Sequence, residues 1–463
     1  MKITVSNVIE IENPTDEVKS WCKANLIIDN PDYFKKQRMG YSTYNTPKLI
    51  QLYEIRGDIY RLPFGCLDNL YKAYARDTDT QFINAICPIQ PFDYQSNIKP
   101  YGYQEKAIQE ILKAKNGILV AGCGGGKTNI ALEVIARVGA KALWLTHTTE
   151  LFNQSKDRAK AVFDCDESAF GTITAGKVNI SNGITFATVQ TMARLDLPQY
   201  KDEWSIIVVD EVHRASMGAT SVKQFQKVLM NLSARYKIGL TATPHRADGL
   251  TKSMFALLGN TIHTVSREEV KDTTCPVEVQ VIETGYAPQD IRSVSKADGT
   301  FDYQKFIKTM ITDDTRFIRI MHEINTREGA MIVLANRIEY LERMAKAYEG
   351  KAVCLSGMSA TKTNKLIRKK ALEDLQNGEI DCIFASYTLA CEGLDVPGLR
   401  YVVFATPEKD QRIVSQSVGR VARKCEGKDK GIVIDFVDAY GICKGYYAKR
   451  KKIYRELECE VVE

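Results

Sequence analysis

Ala121-Gly122-Cys123-Gly124-Gly125-Gly126-Lys127-Thr128 is the stretch on which the fold turns. It follows a short apolar run, residues 117–121 (Gly-Ile-Leu-Val-Ala), which reads as a buried parallel strand. Gly124, Gly125 and Gly126 let the backbone turn its N–H groups inward around phosphate oxygens. From Thr128 to Val138 the apolar residues Ile130, Ala131, Val134, Ile135 and Val138 recur at helical spacing, so the dipole of that helix faces the anion. Lys127 would then reach the β- and γ-phosphates of a nucleotide, and the Thr128 hydroxyl would ligate magnesium. Ala121 stands where the strict form of this loop has glycine.

Two further stretches follow in fixed order. Residues 205–209 (Ser-Ile-Ile-Val-Val) form a second strand-like run that delivers Asp210 and Glu211 at its C-terminal end. Parallel α/β sheets place their ligands at that end. Asp210 is expected to hold magnesium through water, and Glu211 to orient and deprotonate an attacking water. His213 is read as a polar contact rather than a metal ligand, because no second ligand stands at metal spacing. Far along the chain comes Gln416-Ser-Val-Gly-Arg420-Val-Ala-Arg423, after the strand-like run 401–405. On one helix, Gln416, Arg420 and Arg423 would share a face, and the arginines would neutralise charge on a transferring phosphoryl group. Arginines so distant from the nucleotide loop imply a site built from two lobes and a nucleotide-driven motor.

Strand-like runs alternate with helical spacing on both sides of this division. They fall at 117–121, 142–146, 184–188, 205–209 and 237–241, and again at 330–335, 351–355, 382–385, 400–405 and 431–436. The pattern predicts an α/β protein of two tandem RecA-like lobes, each a parallel sheet flanked by helices, behind a small amino-terminal α+β domain. The expected boundaries are 1–95 for an accessory, junction-binding domain and 96–275 for the first lobe. A connecting region spans 276–312, and the second lobe, ending in a basic helix, spans 313–463.

With these motifs placed, the chain resembles a superfamily 2 helicase over roughly residues 98–440. Tyr101-Gly-Tyr103-Gln104 looks like the glutamine motif that recognises adenine. Thr146-His-Thr-Thr149-Glu150-Leu151 resembles motif Ia, and Ala187-Thr188-Val-Gln190-Thr191 resembles motif Ib. Leu240-Thr241-Ala242-Thr243-Pro244 stands as motif III, Asn336-Arg337 at the motif IV position, and Glu392-Gly393-Leu394-Asp395-Val396-Pro397 as motif V. The resemblance implies nucleotide contacts at Gln104, Gly393 and Asp395. It implies nucleic-acid contacts at Thr149, Thr188, Asn336, Arg337 and Thr388, and coupling through Thr241, Thr243, Arg246 and Asp248. Arg246-Ala247-Asp248-Gly249 is similar to the XPB-like branch that includes UvsW and restriction-enzyme translocases, although that branch commonly has Arg-Glu-Asp. Asn30-Pro31-Asp32-Tyr33 and Leu62-Pro63-Phe64-Gly65 resemble the front of compact phage helicases, so a phage-encoded protein working in the host cytoplasm is expected.

Composition agrees. A hydrophobic content of 44% supports substantial cores, and no apolar run approaches a membrane span. Twelve cysteines without a CxxC pair and five scattered histidines suggest no zinc site, and Cys123 inside the cradle points to a reducing setting. The net charge of +6 is concentrated in 96–275, so residues 1–95 are no generic polycation. They do carry Tyr33, Phe34, Lys35, Lys36, Arg38, Tyr41 and Tyr44, which suit stacked bases and phosphates, or else a solvated loop with core aromatics. Lys444, Lys449, Arg450, Lys451, Lys452 and Arg455 read either as a phosphate-tracking row or as a solvated helix face. The functional expectation is an ATP- and Mg2+-dependent DNA helicase or translocase on forked or branched DNA, serving replication, recombination or repair. An RNA helicase and an ATP-gated binding subunit that does not unwind are the alternatives. The oligomeric state is open.

Overall fold

A computed structural model describes the chain apart from residues 75, 76, 78, 123, 214–218, 243–250, 356–361, 388, 390–395 and 397. It falls into two compact units, Met1–Glu269 and Val270–Glu463. The first unit holds a small amino-terminal α+β domain and one RecA-like α/β lobe, and the second unit is another RecA-like lobe.

In the first lobe the described strands lie in the order Lys177–Asn179, Phe170–Thr174, Ile184–Thr188, Ala142–Thr146, Ile206–Val209, Tyr236–Thr241, Asn116–Ala121 and Thr261–Val265. All neighbours run parallel except Lys177–Asn179, a short antiparallel edge. The central strands are buried on both faces, which is why they read as continuous apolar runs rather than alternating ones. Five of these strands are legible in the sequence. Phe170–Thr174 and Thr261–Val265 are not, because threonines and a histidine break their apolar pattern, and Lys177–Asn179 is a three-residue exposed edge with a single apolar residue.

The second unit has a wholly parallel sheet in the order Ala352–Cys354, Cys382–Ser386, Met331–Ala335, Tyr401–Phe404, Gly431–Val437, Val277–Glu283 and Glu460–Val462. Val277–Glu283, which the sequence reading leaves in the connecting region 276–312, pairs along its full length with Gly431–Val437. The helix Tyr303–Thr312 likewise buries Phe306, Ile307, Met310 and Ile311 in the core of this unit. The polar residues Glu278 and Gln280, alternating with valines in Val277–Glu283, conceal a strand that has one polar face. Two ion pairs sit under this sheet. Arg316 Nε lies 2.6 Å from Asp438 Oδ1, and Arg450 Nη2 lies 2.7 Å from Asp435 Oδ1; all four side chains are essentially inaccessible.

The amino-terminal domain is a five-stranded sheet, Glu54–Arg56, Ile59–Leu62, Ile9–Glu12, Lys2–Val5 and Gln81–Asn84, with a separate antiparallel pair of Ile27–Asp29 and Leu49–Gln51. It is packed into the first lobe rather than tethered to it. Val222 and Ala256 of the lobe complete its apolar core, while its Val8 sits in the core of the lobe. From Cys87 onward the chain is already hydrogen-bonded to the lobe: Cys87 N donates to Ser233 Oγ at 3.3 Å and Phe92 N to Gly139 O at 2.9 Å.

Candidate functional site

The phosphate loop leaves the buried strand Asn116–Ala121 at its C-terminal end. Gly124 has φ +84° and Gly126 φ +70°, the left-handed region that glycine enters without strain. A Cβ at Gly126 would also lie 2.3 Å from Gln104 Nε2, so that amide would have to shift. The helix that follows is Lys127–Val138, with Gly126 as its N-cap, so it starts one residue earlier than the periodicity suggests. Lys127 Nζ donates to the loop's own carbonyls, Ala121 O at 2.9 Å and Gly122 O at 3.4 Å. Thr128 stands in the first turn of that helix.

Gln104 is 4% exposed and wedged behind the loop. Its Oε1 accepts from Tyr101 N at 3.1 Å and its Nε2 donates to Tyr103 Oη at 3.2 Å. The Tyr101 and Tyr103 rings stack with centroids 6.0 Å apart. Much of the amide's capacity is thus spent on shaping the loop from behind.

The strand Ile206–Val209 is fully buried and places Asp210, itself buried, at its end. Glu211 takes φ +50°, a costly conformation for a non-glycine residue. It donates its N–H to Asp210 Oδ1 at 2.9 Å, and Ser155 Oγ donates to Asp210 Oδ2 at 3.4 Å. Burial, reinforced by the neighbouring Glu211 carboxylate, pushes the Asp210 carboxyl up to about 7, against the opposing pull of Lys127. Two acids crowded at one strand end are a site short of positive charge, and a divalent cation with nucleotide phosphates fits that need. Among the described residues no cluster of three or more His, Cys, Asp or Glu side chains forms a separate metal site.

His213 ties this pair to motif III. It is 3% exposed, with Nδ1 3.0 Å from Glu211 Oε2 and 3.2 Å from Thr241 Oγ1. Thr241 ends the strand Tyr236–Thr241, next to the strand Ile206–Val209 that leads to Asp210. Ser155 was not legible as part of the site. The one available signal was a small polar residue on the buried face of the helix Thr149–Val162.

Thr146 and Thr188 are register partners at the ends of neighbouring parallel strands. Thr149 is the exposed first residue of its helix. Thr188 is the last residue of its strand and the N-cap of Val189–Met192; its hydroxyl accepts from Thr191 N at 3.3 Å. Gln190 Nε2 lies 3.0 Å from His147 Nδ1 and links motifs Ia and Ib.

In the second unit the helix Gln411–Val421 is capped by Asp410, which accepts from Arg412 N at 2.9 Å. Gln416 and Arg420 share a face one turn apart, and Gln416 Oε1 is buried without a hydrogen-bond partner among the described residues. Arg423 does not continue that face. The helix ends at Val421, its last carbonyls accept from Cys275 (N to Ala422 O, 2.8 Å), and Arg423 forms a β-bridge with Thr274. A tertiary partner, invisible in the local sequence, stops the helix. Asn336 follows the strand Met331–Ala335 and donates from Nδ2 to Pro407 O at 3.2 Å, and Arg337 bonds Gln304 Oε1. Arg450 is buried on Asp435 and Lys451 pairs with Glu463 at 2.6 Å, so the carboxy-terminal basic row is broken. Thr243, Arg246, Asp248, Thr388, Gly393 and Asp395 lie outside the described residues.

Comparison with known proteins follows the same division. Residues 97–246 match the family described as the type III restriction enzyme, res subunit, and residues 315–425 match the helicase conserved C-terminal domain. The chain is 27% identical over 373 residues to a putative ATP-dependent RNA helicase of Acanthamoeba polyphaga mimivirus, covering 76% of this chain but only 66% of that protein. It is 24% identical over 383 residues to the DNA 3'-5' translocase XPB2 of Sulfurisphaera tokodaii, covering 76% and 84%. The fold is shared with the DNA-bound Type ISP restriction-modification enzyme LlaBIII (TM-score 0.55, 18% identity, 78% of this chain and 30% of that one). It is also shared with an HsdR fragment from Vibrio vulnificus (TM-score 0.52, 22% identity, 74% and 65%). With helicase ATPase motifs in order on two RecA-like lobes, the chain belongs to the superfamily 2 helicases, in the DEAD/DEAH-type group related to XPB.

Proposed function

We propose that this helicase is an ATP- and magnesium-dependent DNA translocase that acts on forked or branched DNA. The observation that carries the ATPase half is the Asp210–Glu211 pair, fixed at a buried strand end and joined through His213 to Thr241. Lys127 would leave its loop carbonyls for the β- and γ-phosphates, and Gly124, Gly125 and Gly126 would give their N–H groups to the same oxygens. Thr128 and Asp210 would hold magnesium, which when bound neutralises phosphate charge. Glu211 would take the proton of the attacking water, and Gln416 would act from the same helix face as Arg420. Arg420 and Arg423 would stabilise charge on the phosphoryl group, Arg423 from the bridge with Thr274 rather than from the helix. Gln104 would contact adenine with what remains of its amide, and Gly393 and Asp395 would complete the nucleotide contacts.

Thr149, Thr188, Asn336, Arg337 and Thr388 would bind a phosphate backbone, chiefly through amides at strand ends, since the Thr188 hydroxyl already caps its helix. Thr241, Thr243, Arg246 and Asp248 would pass the state of the acid pair to that track. DNA is favoured by the likeness to the translocase XPB2. RNA is the second reading, favoured by the likeness to a putative RNA helicase. ATPase rates with single-stranded, duplex and forked DNA and with RNA separate them. The greatest stimulation by forked DNA is expected, and stimulation by RNA above every DNA overturns the DNA assignment.

A further inference from the structure

A groove of about 510 Å³ runs along the seam where the amino-terminal domain meets the first lobe. One wall is the helix Pro31–Arg38 with the loop that follows it; the other is the helix Ala219–Asn231 of the lobe, through Thr220 and Lys223. The first wall is held in shape. Asn30, fully buried, donates from Nδ2 to Pro47 O at 2.6 Å and accepts from Asp32 N at 3.1 Å. Lys36 Nζ donates to Thr46 Oγ1 at 2.7 Å, strapping helix to loop.

Three lysines, Lys35, Lys36 and Lys223, line the groove against one acid, Asp32. Met39 and Tyr41 lie on its wall and Tyr44 is carried by the same loop; they are 57%, 65% and 94% exposed. No side chain of the helix Pro31–Arg38 is buried, so its cations and aromatics do not serve the core. Cations beside exposed rings match a polyanion that also presents flat faces. In duplex DNA the faces are already stacked, so the rings favour unpaired bases. The opposite wall is the first described α-helix after Asp210 and Glu211 in the chain.

We propose that this seam groove binds an unpaired nucleic-acid strand, its phosphates on Lys35, Lys36 and Lys223 and its bases on Tyr41 and Tyr44. The identity of that strand as an arm of forked DNA rests on the function proposed above. Truncation of residues 1–95 cannot test it, because the domain shares its core with the lobe.

The test uses the intact chain without nucleotide. Fluorescence anisotropy reads affinity for a labelled oligo-dT, an oligo-rU, a fork with single-stranded arms and a blunt duplex, each at several salt concentrations. Lys35→Ala/Lys36→Ala/Lys223→Ala is expected to lower oligo-dT affinity about 10-fold or more. It should also make the log–log salt slope shallower by about 2, three phosphate contacts at ~0.7 each. Tyr41→Ala/Tyr44→Ala is expected to lower affinity for the armed fork about 10-fold, with the slope and blunt-duplex affinity unchanged. Lys223→Glu alone, on an exposed position of a separate element, should weaken oligo-dT binding even where loss of the Lys36 strap disturbs the loop.

Unchanged affinities and slopes in all three variants overturn the groove. Equal losses for blunt duplex and armed fork overturn its preference for unpaired strand, and displacement of oligo-dT by polyglutamate at equal charge shows a general polyanion or acidic-protein surface instead. If wild-type ATPase responds only to RNA, the DNA reading fails while the oligo-rU arm still decides the groove.

Discussion

At Asp210 and Glu211 two carboxylates occupy one buried strand end, and Glu211 bears a strained φ of +50° directly after the strand. Lys127→Ala is expected to cut ATPase at least ~100-fold and to weaken ATP-analogue binding, since it removes the cation nearest the phosphates. Glu211→Gln should retain analogue binding and lose ~10²–10⁴ in turnover, the usual contribution of a general base. Steady-state ATPase and equilibrium binding of a fluorescent analogue check both; near-normal rates would sink the assignment. His213 separates a second role. Thr241→Val keeps volume but removes the hydroxyl that His213 Nδ1 meets at 3.2 Å. The expected result is basal ATPase within about threefold of wild type and at least ~10-fold loss of its stimulation by DNA. Equal loss of both rates would make the contact purely structural.

Among the elements, the carboxy-terminal helix Gly441–Glu456 shows how a charge row misleads when it is read as one surface. Arg450 turns inward to Asp435, with Tyr454 Oη donating to the same carboxylate at 2.9 Å. Removing one partner of a buried ion pair leaves the other charge stranded, at about 3–5 kcal/mol. Arg450→Ala is therefore expected to lower the melting temperature by about 10 °C. Lys444→Ala/Lys449→Ala should leave it within about 2 °C, because neither side chain is part of that pair. Calorimetry on the two variants distinguishes them, and similar melting temperatures would refute the division. The arginine helix carries the same lesson: Cys275 docks where it ends at Val421, so Arg423 stands on a bridged segment and not on the helix.

For the first unit as a whole, the amino-terminal domain and the lobe are one folding body. A Cβ at Gly65 would lie 2.3 Å from Phe255 O and 2.4 Å from Gly259 N, both backbone atoms that cannot swing aside. Gly65→Ala should therefore cost about 1–3 kcal/mol and lower the melting temperature by several degrees. Lys237 supplies a pH signature for the same seam. It is fully buried, with Nζ donating to Asn7 O at 3.1 Å and Leu229 O at 3.0 Å, and over the Phe64 ring at 5.0 Å. Burial pulls its pKa down from 10.5 to about 7. Between those values the unfolded chain holds a proton that the folded chain does not. Stability from this group is therefore full above the unfolded value and is lost as pH falls through about 7. Lys237→Met should flatten the stability–pH curve between pH 7 and 10 by up to about 1.4 kcal/mol per pH unit. Denaturant melts across that range check it, and parallel curves for variant and wild type would show that Lys237 is charged in the fold.

The sequence by itself determined the parallel lobes, their strand ends and the order of the motifs. Each depends on periodicity and on glycine, lysine or carboxylate chemistry confined to a few adjacent residues. The loop around Gly126, the acids after Ile206–Val209 and Thr188 at its strand end are legible for that reason. The tertiary structure alone decided what depends on residues distant along the chain. Cys275 displaces Arg423 from its helix, Asp435 draws Arg450 inward, and Val277–Glu283 becomes a strand because Gly431–Val437 pairs with it. Gly65 and Lys237 likewise make the amino-terminal domain part of the lobe. Local pattern encodes which face a residue presents, whereas burial, ion pairing and backbone docking belong to the partner that arrives from elsewhere in the fold.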